Sequence, residues 1–365
     1  MMYCDLNEQE LSEKFQFNFK HPFLLISTVC LDPLTIQLAA KNKILFMQLL
    51  TKKFVLLGIF VISILTGSIS GAQAASETQT GVTVRAEMER NYFAYQAKLM
   101  DSNLPFILDS LDEDGEIRAS VQTFLPGISF ELFSSRLVNI SQWCEFIPLH
   151  LNIKACGYSG QNDSLQLGFY VGAKGYMTPD ESQLLILKVN VQDDEDVLQI
   201  GFTASKGPFG SSNYNFDFRA IGADDGVYLE FDLSSRPGLV SSLAKIYFAT
   251  VASGKVGFST SSKGRSGKVK YVRGQRGGAE RNIVRYLLSI QTYFETIDQE
   301  QQSDGYERRL ERWFELTQQH EKQLYEMSRE TYLDIKIRER ANQLLLIEAI
   351  KNNVEPDFNT ELDNP

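Results

Sequence analysis

Between Leu151 and Leu233 the apolar residues recur at every second position. Leu165, Leu167, Phe169 and Val171 alternate with Gln166, Gly168, Tyr170 and Gly172, and Leu185, Leu187, Val189 and Val191 run into the acidic stretch Asp193–Asp196. The chain resumes at Val197–Ala204. Tyr214, Phe216 and Phe218 then alternate with Asn213, Asn215, Asp217 and Arg219, and Val227, Leu229, Phe231 and Leu233 with Tyr228, Glu230, Asp232 and Ser234. This period predicts an antiparallel meander with one wet face and one apolar face. An apolar sheet face has to be covered. The amphipathic elements available for that are Phe130–Phe146 and Ala279–Ile297, the latter with Ile283, Leu287, Ile290, Phe294 and Ile297 at helical spacing. The order predicts an α+β fold: a curved antiparallel β-sheet gripping a long C-terminal helix, with a further helical extension.

The remaining segments read as follows. Glu87–Leu104 has helical spacing through Tyr92, Tyr95 and Leu99, and Asp112-Glu113-Asp114-Gly115 carries the Asp-Gly signature of a hairpin turn. Leu239–Ala252 suits a helix or a strand equally, and Ser253–Gly278 is rich in Gly, Ser and Lys. Tyr306–Ile350 reads as charged helix packed through Leu310, Trp313, Leu324 and Met327. We expect an N-terminal helix and hairpin at 75–127, a sheet-and-helix domain at 128–298, a helical extension at 299–353 and a loose acidic tail at 354–365.

Residues 47–74 read as a secretory signal. Lys52 and Lys53 precede the apolar run Phe54–Leu65, helix breakers follow, and Ala72-Gln73-Ala74 offers small residues before a cleavage point between Ala74 and Ala75. The apolar run is too short to span a bilayer. Residues 1–46 show no clean period and read as an extension upstream of a start at Met47, or as a dispensable leader. The expectation is a periplasmic or secreted protein. Of its four cysteines, Cys144 and Cys156 then reach an oxidising compartment, where a disulfide is the first reading and two separate buried thiols the other.

The chain carries 36 Lys and Arg against 46 Asp and Glu, a net charge of −10, and three histidines. Such acidity argues against nucleic acid as a partner. With few histidines and no CxxC, no metal site is expected, and no cofactor motif appears: Gly254–Gly278 lacks the spacing of a phosphate loop. His150, at a helix-to-strand corner, reads as a structural polar residue rather than a general base. Against the acidic background, Lys263, Arg265, Lys268, Lys270, Arg273, Arg276, Arg281 and Arg285 crowd into one stretch. That stretch reads either as a solvated hairpin and helix start or as a docking patch for an anionic membrane surface, with Lys268, Lys270, Arg273 and Arg276 at its centre. Arg281 and Arg285, one helical turn apart, are candidates to face inward and hold a ligand carboxylate.

The helical segment Phe130–Phe146 with Trp143, the meander Leu151–Leu233 and the closing helix Ala279–Ile297 together resemble the START-like (helix-grip) superfamily of lipid-transfer domains and polyketide cyclases, over residues 128–297. The segment Arg281–Tyr286 resembles uncharacterised exported members of that group. The resemblance implies a cavity for a hydrophobic small molecule or lipid, with Tyr214, Phe216, Phe218 and Phe231 as candidate lining residues. The expected function is an exported binding or carrier protein. The alternatives are a cyclase or aromatase using the same cavity, and an envelope interaction protein acting through Tyr306–Ile350.

Overall fold

The computed structural model describes residues 81–160, 164–194, 196–238, 255–263, 269–356 and 358. The signal segment, the cleavage point Ala74/Ala75, the ambiguous stretch Leu239–Ala252 and Lys268 lie outside the described residues.

Eight strands form one antiparallel curved sheet: β1 (Ile107–Glu113), β2 (Glu116–Pro126), β3 (Ile153–Ser159), β4 (Gln166–Val171), β5 (Gln183–Asp194), β6 (Val197–Lys206), β7 (Ser212–Ala223) and β8 (Gly226–Arg236), in the order β1-β2-β8-β7-β6-β5-β4-β3. The β1–β2 turn places Asp114 at φ 52° and Gly115 at φ 72°, the paired left-handed conformation that Asp-Gly suits. A small hairpin, β9 (Thr260–Lys263) and β10 (Val269–Tyr271), is drawn from the Gly/Ser/Lys-rich stretch.

Seven α-helices complete the described fold: α1 (Gly81–Leu99), α2 (Phe130–Leu137), α3 (Ile140–Phe146), α4 (Gly274–Glu295), α5 (Gly305–Gln318), α6 (Glu321–Leu324) and α7 (Arg329–Asn352). Ser129 caps α2 by accepting from the Leu132 N–H, and Asn139 caps α3 by accepting from the Ser141 N–H. The long helix α4 lies across β1, β2 and β8. Its Ile283, Leu287, Ile290 and Phe294 meet Phe133, Trp143, Phe218 and Phe231 in the main core. The disulfide Cys144–Cys156 ties α3 to β3, which is the paired reading of those cysteines.

The segment 75–127 is not separate from the sheet. β2 pairs with β8 from Ile117↔Ser235 to Pro126↔Gly226, so the division at 127/128 falls inside a compact unit running from Glu77 to the C-terminus. The helix expected at Glu87–Leu104 spans Gly81–Leu99. It covers the face of β6–β8 expected to be wet, packing Val84, Met88, Tyr92 and Tyr95 on Val197, Ile221 and Tyr228. Beyond 298/299, Leu310, Trp313 and Leu316 of α5 and Tyr332 of α7 belong to the main core.

Candidate functional site

The buried surface of α4 is mixed in polarity. Beside its apolar residues it buries Glu280, Arg281, Arg285, Ser289 and Thr292. Tyr286, on the same helix, presents its ring edge-on to Phe216 and Phe231, with centroids 6.3 Å away in each case. Phe216 stacks on Phe231 at 6.2 Å and on Tyr214 at 6.0 Å. The fold therefore brings Tyr214, Phe216 and Phe231 together. Phe218 reaches Phe231 but otherwise packs deeper, on Phe133 and Trp143. These rings are packed against one another. Tyr214 alone of the four is partly exposed, and its hydroxyl lies 2.8 Å from the Ser211 hydroxyl.

Arg281 and Arg285, on the same helix, are both buried, at 8% and 2% exposure. Arg285 donates through Nη2 to Glu326 at 2.8 Å and to the Leu324 carbonyl at 3.4 Å, while its Nε finds no acceptor. Arg281 donates to the Val256 carbonyl at 3.2 Å. Burial, and then the neighbouring charge of Arg285, brings the Arg281 guanidinium down to about 10. Glu326 also pairs with Lys174 and, at 3.6 Å, with Lys255. Burial alone would raise its carboxyl, but Arg285 and the two lysines hold it below the usual range.

His150 stacks on Tyr286 with centroids 4.7 Å apart. Its Nδ1 accepts the Asn152 N–H at 3.1 Å, so in the neutral ring the proton sits on Nε2, which is buried without a partner. Burial, reinforced by the charges of Arg285 and Lys336, holds the imidazole well below its ordinary pKa, with the Asn282 amide opposing. The carbonyl of His150 accepts from Lys336 Nζ at 3.0 Å. Behind it, Lys154 and Lys336 share Glu339 at 2.8 and 2.7 Å. Tyr286 was not among the predicted site residues, and His150 was read from the sequence as a structural polar residue. Spacing places Tyr286 on α4, but only the register of α4 against β7 and β8 brings it to the aromatics.

The basic stretch splits in two. Lys270 and Arg273 are exposed, whereas Arg276 is half-buried and donates through Nε to the Ser110 hydroxyl at 2.8 Å. Ser110 in turn contacts Glu280, whose other oxygen accepts the N–H groups of Phe258 and Ser259 at 2.6 and 2.9 Å. A separate cleft of about 430 Å³ is lined by residues 127–130 and 222–226 and contains none of the predicted site residues. Among the described residues no His, Cys, Asp and Glu cluster suits a metal ion.

No family model matches the chain, and no curated protein matches it. Solved structures with a similar arrangement include a conserved protein of unknown function from Enterococcus faecalis, at 12% identity, covering 64% of this chain and 98% of that one with a TM-score of 0.30. Human STARD10 aligns at 8% identity over 43% of this chain and 74% of its own, with a TM-score of 0.27. Human StAR-related lipid transfer protein 5 aligns at 10% identity over 46% and 90%, with a TM-score of 0.25.

Proposed function

We propose that the protein is an exported binding or carrier protein for a hydrophobic small molecule or lipid, received between the sheet and α4. One observation carries this reading: the aromatic group Tyr214, Phe216, Phe231 and Tyr286 adjoins buried donors, on Arg285 and His150, that have no acceptor. Small-molecule sites combine apolar walls with a few placed polar groups, and a buried donor left unpaired is costly unless something fills it. Export is supported by the signal pattern of 47–74.

Native mass spectrometry tests both parts at once. The full-length gene is expressed in a secreting bacterial host and the exported protein is purified without detergent. The expected spectrum shows a chain beginning at Ala75 together with a co-purified apolar molecule released by organic solvent. A chain that retains Met1 overturns the export part. Absence of any extractable adduct across several preparations, together with no uptake of an apolar fluorescent probe, overturns the binding part.

A further inference from the structure

The charge inventory around α4 says more about the ligand than that it is apolar. Two guanidiniums, Arg281 and Arg285, are buried one turn apart on one face of the helix. Among the described residues a single carboxylate, Glu326, pairs with them, and it does so through Arg285 alone. Glu326 is shared further with Lys174 and Lys255. The carboxylate beside Arg281 in sequence, Glu280, is turned to the Phe258 and Ser259 N–H groups and to Ser110, with Arg276 behind Ser110. Arg281 donates to one backbone carbonyl and makes no ion pair among the described residues, with Glu326 and Glu280 acting on it only from beyond contact distance. A buried cation lacking its counterion is strongly destabilising, and this one persists in an acidic chain of net charge −10.

Two unpartnered donors point the same way. Arg285 Nε and His150 Nε2 are buried and make no hydrogen bond, although the Asn282 side chain lies near enough to favour the charged form of His150; Arg285 precedes Tyr286 in the helix and His150 stacks on it at 4.7 Å. Arg281, Arg285, Lys174 and Lys255 thus have Glu326 as their one ion-pair carboxylate among the described residues. An anion with a hydrocarbon body supplies what is missing, and a carboxylate matches the planar N–H fork of a guanidinium.

We infer that the bound molecule is an apolar acid whose carboxylate is taken by Arg281 and Arg285, with His150 Nε2–H as a further donor. The inference rests on the binding reading above and narrows it to a head group.

Delipidated full-chain protein is titrated with palmitate, hexadecanol and hexadecyl phosphate, competing against an apolar fluorescent probe. Palmitate is expected to bind at least about tenfold more tightly than hexadecanol, the loss expected when a charge-assisted pair is removed, and more tightly than hexadecyl phosphate. Arg281→Gln is expected to bring palmitate down to the hexadecanol level without weakening hexadecanol, and Arg281→Lys to restore part of the preference. Equal binding of palmitate and hexadecanol by the unaltered protein overturns the acid head group while leaving the hydrophobic-ligand reading intact. Preference for the phosphate, or an undiminished acid preference in a folded Arg281→Gln variant, overturns the carboxylate assignment. Binding of none of the three overturns the hydrophobic-ligand reading and this inference with it.

Discussion

Asp232 stands opposite Asp217 in the β7–β8 pair, two residues from Glu230, on the sheet face that α1 covers. Glu230 holds the local donors: Arg219 Nη2, the Tyr228 hydroxyl and the Asn91 amide. Burial pushes the Asp232 carboxyl up from 3.8 to about 6, with Arg219 opposing and Glu230 and Asp217 adding to the rise. A carboxyl raised on folding binds more protons in the native state than in the unfolded one between those two values. Its contribution to stability therefore falls as pH climbs from about 4 to about 6. Asp232→Asn is expected to raise stability at pH 7 by about 1–2 kcal/mol, after allowing for partial exposure, and to change it little at pH 4. Urea melts at the two pH values measure the difference, and a variant equally destabilised at both would contradict the assignment. At this scale the sequence was legible where chemistry alone identifies a residue. Arg281 and Arg285 stand out as cations one turn apart on an apolar helix. His150 read as a structural polar residue, and its place beside the aromatics was not legible, because its ring packs on Tyr286, a residue 136 positions away that only the tertiary fold makes its neighbour.

The C-terminal helix α7 shows what binary patterning conceals at the level of an element. Its buried stripe, Tyr332, Ile335, Lys336, Glu339, Asn342, Gln343, Leu346 and Ala349, keeps helical spacing but is half polar. A reading that assigns polar residues to solvent takes such a helix for a charged extension. The polar members have specific partners. Lys336 donates to the carbonyls of His150 and Ile153 and to Glu339, satisfying its three donors. Gln343 accepts the Cys156 N–H at 2.6 Å and returns its amide N–H to the Cys156 carbonyl at 2.9 Å. β3 is the edge of the sheet, and an uncovered edge exposes unpaired backbone groups to other chains. Gln343 takes the place of a neighbouring strand there, next to the disulfide that holds β3 to α3. Gln343→Ala leaves two buried backbone groups unpaired and should cost about 2–4 kcal/mol, whereas Gln343→Glu retains only an acceptor and should cost a comparable amount at neutral pH. Thermal melts combined with amide exchange at Cys156 check this, and unchanged protection at Cys156 in the alanine variant would show that the edge is sealed by other means.

For the whole molecule, the meander and its closing helix follow from period alone, whereas the depth of the sheet's burial does not. A period of two specifies which residues share a face but not how much covers each face, so the side of β6–β8 bearing Tyr228 and Ile221 read as wet although α1 buries it. The hairpin 107–126 was likewise legible as a hairpin, yet nothing local to it indicates that its second strand pairs with β8, more than a hundred residues on. The N-terminal elements are consequently structural in a way that can be tested by truncation. A chain beginning at Ala75 keeps α1 and the hairpin and should melt in one cooperative transition. A chain beginning at Ile128 loses the partner of β8 along its length and uncovers Val197, Ile221 and Tyr228. It also removes Ser110 from the buried Glu280 of α4. Exposed strand edge and exposed apolar surface together favour association between chains. The shorter chain is therefore expected in the void volume on gel filtration, with no sharp thermal transition. Recovery of it as a soluble species with a cooperative melt would show instead that β3–β8 and α4 form a self-sufficient core and that the first fifty residues of the described chain only decorate it.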